Sequence, residues 1–236
     1  MLEGPKLVAE AIASGIRLDT VLVTPQLAAR ADMQRMLERA ACPVEEIEPS
    51  LLASMMDADT PQGALAVAHL PRRGAEALPH RHDGIYLYLD GVQDPGNLGA
   101  IARAAEAAGA AGIACGPGTA HPNHPRALRG SAGSLLRLPV AVAVSADAVH
   151  ERLAPVQPRW AALVAHGGED LYDQLLAGTL VLALGAEGGG LSPATQRLAD
   201  LELRIPLAPA VESLNVATAA AVVLFELRRR ARAGAA

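Results

Sequence analysis

The sequence predicts an α/β protein: a parallel sheet covered by helices over residues 84–236, preceded by a smaller α/β unit over residues 1–70. Three observations carry this. LPVAVAV (138–144), RWAALVA (159–165) and TLVLALG (179–185) are strand-length runs rich in valine, leucine and alanine, the pattern of strands buried on both faces of a parallel sheet. Helical and strand patterns alternate along the chain. Residues 71–83, PRRGAEALPHRHD, combine prolines, arginines and histidines without a hydrophobic period, which is the composition of a linker.

Before that linker, GPKLVAEAIASG (4–15) reads as a helix closed by Gly15 and RLDTVLVTP (17–25) as a strand ended by proline. ADMQRMLERA (31–40) is a second helix, PVEEIEP (43–49) a short strand and PQGALAVAHL (61–70) another. After the linker, IYLYLD (85–90) is a strand, NLGAIARAAEAAG (97–109) a helix, AGIACG (111–116) a strand and HPRALRGSAG (124–133) a short helix. The three buried-strand runs follow. SLNVATAAAVVLFELRRRAR (213–232) is a long terminal helix.

Composition narrows the function. The net charge of -5 gives no global attraction to nucleic acid, so an RNA-binding role must rest on a local basic patch. The two cysteines, Cys42 and Cys115, are far apart and read as buried thiols, not as a disulfide or a metal site. HPNHP (121–125) offers two histidines without a third ligand at useful spacing, and no metal is expected. The apolar runs fall short of the roughly 20 residues of a membrane helix, and the N-terminus, with Glu3, has no secretory pattern. The expected location is cytoplasmic, with no membrane partner.

Ligands of open α/β sheets bind beyond the carboxyl ends of strands. Three segments have that form: LYLDGVQDPGNLGAIARAAEAAG (87–109), LVLALGAEGGGLSP (180–193) and LRIPLAPAVESLNVATAAAV (203–222). GAEGGG lacks the dinucleotide glycine spacing, and no GxxxxGK[ST] exists, which sets aside the common nucleotide loops. In this order the three segments resemble the motifs of the SpoU/TrmH family of RNA ribose 2'-O-methyltransferases, within the SPOUT superfamily. GPKLVAEAIASG and DTPQGALAVAHLP are similar to the small RNA-binding domain that precedes the catalytic domain in many members. The match departs at Gly96, where members often carry a bulkier polar residue.

The resemblance implies a SpoU-type catalytic domain with a C-terminal trefoil knot, a homodimer with a composite active site, and S-adenosylmethionine as cofactor. It implies methylation of a ribose 2'-hydroxyl of RNA, with 23S ribosomal RNA favoured by the N-terminal unit. A tRNA enzyme, or a non-catalytic RNA-binding or ribosome-assembly protein of the same fold, stands as the alternative.

Site residues follow from the motifs. Asn97, from its position alone, is a helix N-cap; the resemblance adds contact with substrate or orientation of Arg103. Arg103 lies off the apolar stripe of Leu98, Ile101, Ala102 and Ala105, and either pairs with Glu106 or, as the resemblance implies, is catalytic. Gly99, one turn earlier, reads as a bare turn that lets another chain approach. The resemblance assigns Glu187 to the active site, places Ser213 and Asn215 near the transferring methyl, and gives the cofactor Leu184, Gly185, Ile205, Pro206 and Leu214. Ser213 is by position the cap of the last helix. Arg103, always protonated, suits a clamp on phosphate and developing alkoxide, with Ser213, Asn215 or Glu187 relaying the proton. Arg129, Ser131 and Arg137, with Arg72 and Arg73 of the linker, are candidates for RNA contact.

Overall fold

In the computed structural model, which describes residues 1–57, 60–70 and 73–233, the chain builds two sheets. The smaller contains β1 (Leu2–Glu3), β2 (Leu18–Val23), β3 (Val44–Glu46) and β4 (Ala64–Ala68), in the order β1-β4-β2-β3. β4 is antiparallel to both neighbours, whereas β2 and β3 are parallel. Four helices accompany it: α1 (Pro5–Ala13), α2 (Pro25–Ala28), α3 (Ala31–Leu37) and α4 (Pro49–Ser54). The sequence pattern finds α1, α3 and β2–β4 but passes over β1, α2 and α4. None of those three exceeds 6 residues, too short for a periodicity to register.

The larger sheet is parallel throughout. Its strands are β5 (Ile85–Asp90), β6 (Gly112–Cys115), β7 (Val140–Val142), β8 (Arg159–Leu163), β9 (Glu169–Asp170), β10 (Leu180–Gly185) and β11 (Leu201–Arg204), ordered β7-β6-β5-β10-β8-β11-β9. Its helices are α5 (Pro95–Ala108), α6 (Pro125–Ser131), α7 (Ser134–Arg137), α8 (Ala146–Leu153), α9 (Pro193–Leu198) and α10 (Val216–Ala233). Two expected elements are shortened by left-handed residues. Ala143 (φ 55) ends β7 after three residues, and Ala132 (φ 49) with Gly133 (φ 92) separates α6 from α7.

Strand alternation sends each central strand into two cores. Leu87, Leu89, Leu182 and Leu184 point to the face covered by α5 and α10, and that core continues into α1, β2 and β4 of the small sheet. Tyr86, Tyr88, Val181 and Ala183 point to the other face, where they meet Trp160 and α8. Tyr88 and Trp160 rings are 5.6 Å apart and tilted by 57°. Burial, aided by Asp90, pushes the Tyr88 phenol up to about 12.

The described part of the linker is anchored, contrary to its composition. Leu78 is fully buried, Arg152 donates to its carbonyl (2.8 Å) and Tyr86 donates to the Pro79 carbonyl (2.5 Å). Leu78 thus enters the core of Tyr86, Tyr88 and Trp160, on the face of the large sheet opposite the core shared with the small sheet. Ion pairs join the two sheets' layers. Glu3, 3% exposed, pairs with Arg129 of α6, and Arg137 of α7 pairs with both Glu10 of α1 and Glu106 of α5. No helix among the described residues is long and apolar enough to cross a membrane.

Candidate active site

α5 leaves the carboxyl end of β5 through a loop whose polar groups are closely specified. Asp94, not Asn97, caps the helix: its Oδ1 accepts the Asn97 N–H at 2.9 Å, and Pro95 fills the first helical position. Asn97 therefore lies inside the first turn with its side chain free to face outward. Its Nδ2 donates to Glu187 Oε1 at 2.7 Å, and its Oδ1 accepts from Asn215 Nδ2 at 3.0 Å. Asn215 Nδ2 also lies 3.4 Å from the same Glu187 oxygen. Three residues, one from the first turn of α5 and two from loops, up to 118 positions apart in sequence, thus form one exposed cluster.

Asn215 holds its place because it caps α10. Its Oδ1 accepts the N–H groups of Ala217 (2.9 Å) and Thr218 (3.3 Å), which corrects the expectation that Ser213 is the cap. Ser213 is left exposed two residues earlier. The Glu187 loop turns through Gly188 (φ 79) and Gly190 (φ 64) and closes on itself through an Ala186–Gly190 bridge. A Cβ at Gly185 would stand 2.3 Å from the Gly190 carbonyl carbon. Gly185 is therefore required by its own loop before any ligand is considered.

Beside the cluster lies a cavity of about 840 Å³, lined by Leu184, Gly185, Glu187, Ile205, Ser213, Leu214 and Asn215 among others. Pro206 sits between the lining residues Ile205 and Leu207 and is exposed without lining the cavity. The wall also includes Leu163 to His166, at the carboxyl end of β8, which the sequence reading treats only as a strand. Its signal is topological: β8 neighbours β10, and that adjacency is not written in the sequence. Asp90 is a second omission. At the end of β5 and 8% exposed, it accepts the Ser192 N–H (2.8 Å) and the Thr195 hydroxyl (2.6 Å), and so ties the β10 loop to β5.

The comparisons with known proteins fit this geometry. Residues 84–225 match the SpoU rRNA Methylase family, and residues 1–66 match an MRM3-like substrate binding domain. The chain belongs to the SpoU rRNA methylase family. It is 31% identical over 229 residues to the 23S rRNA (guanosine(2553)-2'-O)-methyltransferase RlmP of Bacillus subtilis, covering 97% of this chain and 88% of that protein. A tRNA/rRNA methyltransferase of Synechocystis sp. is 35% identical over 184 residues, 78% of this chain and 66% of that one's length. The crystal structure of the SpoU methyltransferase AviRb from Streptomyces viridochromogenes in complex with AdoMet superposes with a TM-score of 0.89 at 28% identity, over 98% of this chain and 89% of that one.

This SpoU-family chain does not place Arg103 at the cavity of Gly185. Arg103 is exposed, without an ion-pair partner among the described residues, and Glu106 instead binds Arg137 at 2.6 Å. That guanidinium hydrogen bond holds the Glu106 carboxyl below its usual range. Gly99 is not a bare turn either. A Cβ there would lie 2.5 Å from the Ala127 carbonyl oxygen, so the glycine admits α6 of the same chain.

Most of the expected RNA-contact residues are engaged within the chain. Ser131 is fully buried and donates to the Leu128 carbonyl, so its hydroxyl has no surface to offer. Arg137 is held between Glu106 and Glu10, and Arg129 by Glu3 and Asp57. Arg73 leans on the Leu138 carbonyl at 3.4 Å, and Arg72 lies outside the described residues. Of the C-terminal arginines, Arg228 donates to the Ala107 carbonyl, and Arg229 and Arg230 bind Glu226. His124 caps α6 by accepting the Arg126 N–H, and among the described residues no group of three His, Cys, Asp or Glu side chains is placed to hold a metal.

Proposed function

We propose that this protein transfers a methyl group from S-adenosylmethionine to a ribose 2'-hydroxyl of RNA, with 23S ribosomal RNA as substrate. The observation that carries the reading is the Asn97–Glu187–Asn215 cluster beside the cavity of Gly185. The cavity fits the cofactor chemically. Its volume of about 840 Å³ lies in the range of small-molecule sites, Leu163, Ile205, Leu207 and Leu214 give an apolar wall, and Glu187, Glu202 and Glu212 give carboxylates for a cationic ligand. S-adenosylmethionine supplies there a methyl already activated by a positive sulfur.

The chain's own residues then have separable tasks. Glu187 accepts from both asparagine amides and so fixes two loops against each other. Asn215 spends its amide on that cluster and on the α10 cap, which removes it from the proton relay and leaves Glu187 and Ser213. Arg103 acts as the fixed positive charge for phosphate and developing alkoxide. Because Arg103 lies away from the cavity of its own chain, a homodimer in which it serves the partner's cavity is the assembly this reading requires. Residues 1–70 are read as the RNA-binding domain, 71–83 as the linker and 84–236 as the catalytic domain. The C-terminal segment is read as the trefoil knot. Its support is the path from β10 out to β11, beyond β8, and back to α10 against α5.

The test is methylation of ribosomal RNA from cells lacking the protein, with labelled cofactor and mapping of 2'-O-methyl positions. One new position in 23S RNA is expected. Arg103→Ala is expected to abolish incorporation while cofactor affinity stays within about twofold; substantial surviving turnover would remove Arg103 from the mechanism.

A further inference from the structure

A second cavity, of about 330 Å³, opens between the small sheet's layer and the larger one. Its walls include Glu3, Gly4 and Lys6 from the N-terminal segment, Gln62 before β4, and Arg103 and Arg129 from α5 and α6. Arg103, assigned above to the reaction, therefore faces a basic residue of the other sheet's helices across an open space.

The charges in this cavity are not balanced. Glu3 is the one carboxylate on its described wall, and it is consumed: Arg129 pairs with it and the Asp57 N–H donates to it at 2.9 Å. Lys6 and Arg103 have no carboxylate within ion-pair distance among the described residues. Among the described residues, Lys6 and Arg103 from two layers thus converge on a space whose nearby carboxylates, Glu3 and the adjoining Asp57, are both bound by Arg129, an arrangement that favours an anion. The backbone adds to it. α1 begins at Gly4 (φ 94) without a side-chain cap, Pro5 has no N–H, and the Lys6 and Leu7 N–H groups have no acceptor among the described residues.

We propose that this cavity is a subsite for a backbone phosphate of the RNA substrate, bound jointly by Lys6 and Arg103, with Arg129 serving to neutralise Glu3 and not to touch the RNA. The proposal rests on the reading of the chain as an RNA methyltransferase. It adds a residue of the N-terminal segment, Lys6, as a determinant of substrate binding, and it gives Arg129 a different task from phosphate contact. Lysine suits the position, because an ammonium on a flexible stem acts as a point charge toward a phosphate without needing a planar partner.

The experiment measures binding of a fluorescent 12-nucleotide polyuridylate to the full chain, without cofactor, across a salt series, for the wild type, Lys6→Gln and Lys6→Arg. Each phosphate contact on a single strand contributes about 0.7 to the slope of log affinity against log salt. Lys6→Gln is expected to reduce that slope by about 0.7 and to weaken binding several-fold at low salt, while Lys6→Arg restores both. Thermal unfolding of Lys6→Gln is expected to match the wild type, since Lys6 is exposed. An unchanged slope in Lys6→Gln, or no binding of the probe by the wild type, would overturn the subsite. Failure of the methyltransferase reading looks different: no methyl transfer to ribosomal RNA by the wild type, with the Lys6-dependent salt slope intact.

Discussion

At the level of single residues, the active cluster owes its geometry to hydrogen bonds that each serve two purposes. Asn97 bridges Glu187 and Asn215, so its amide is both donor and acceptor in one plane. Asn97→Asp replaces the donor with a carboxylate about 2.7 Å from Glu187, where two like charges cannot both stay ionised and one carboxyl is pushed up. Methyl transfer by Asn97→Asp is therefore expected to be strongly reduced at pH 8 and to recover in part as the pH falls and the pair shares a proton. Asn97→Ala, lacking that proton, is expected to show no recovery, and identical pH profiles for the two variants would refute the bridging role. Asp94 carries the cap, and Asp94→Ala is expected to cost about 1 kcal/mol in urea unfolding, with little effect on cofactor affinity. Sequence alone placed Asn97 and Asn215 at the starts of the right helices but put the caps at Asn97 and Ser213 in place of Asp94 and Asn215, because capping depends on which residue first leaves helical geometry. DPGN and SLN each offer more than one polar candidate for that within three or four positions.

Among the elements, the contact between α5 and α6 shows why a helical glycine can be structural. Glycine at position 99 costs α5 about 1 kcal/mol relative to alanine in intrinsic propensity. Yet an added Cβ would stand 2.5 Å from a carbonyl oxygen of α6 and 2.9 Å from the Ser131 nitrogen, and backbone atoms cannot step aside as a side chain tip can. Gly99→Ala is thus expected to destabilise the fold despite its helix propensity, by about 1–3 kcal/mol; a stabilised variant would show that α6 yields. The apolar stripe of α5 was legible, since Leu98, Ile101, Ala102 and Ala105 recur at helical spacing and all are fully buried. The partner of its glycine was not. Gly99 and Ala127 meet only because the chain turns at β6 and returns through α6, a long-range packing choice with no local signature. The same holds for Leu163 to His166, whose cavity position follows from sheet order.

For the whole molecule, the placement of the small sheet against the large one depends on charges at the α1–α5–α7 junction. Arg137 bridges Glu10 of the first layer and Glu106 of the second, and the side chains are about one-third exposed. Solvent screening at such exposure limits the pair to less than about 1 kcal/mol, so its value is positional more than energetic. The Arg137 hydrogen bond lowers the Glu106 carboxyl from its ordinary value of 4.5, which fixes the sign of the pH response. A depressed carboxyl stabilises the fold above 4.5, where it is charged in both states, and that contribution fades as the pH falls through the lowered folded value. The wild type is accordingly expected to lose stability relative to Arg137→Ala on acidification below about pH 4.5, with the difference between them constant from pH 6 to 8. If Arg137 also sets the angle at which Lys6 faces Arg103, then Arg137→Ala should raise KM for RNA more than it lowers kcat, without changing cofactor affinity. A loss confined to kcat would separate the junction from substrate binding and leave Arg137 as a stabilising contact alone.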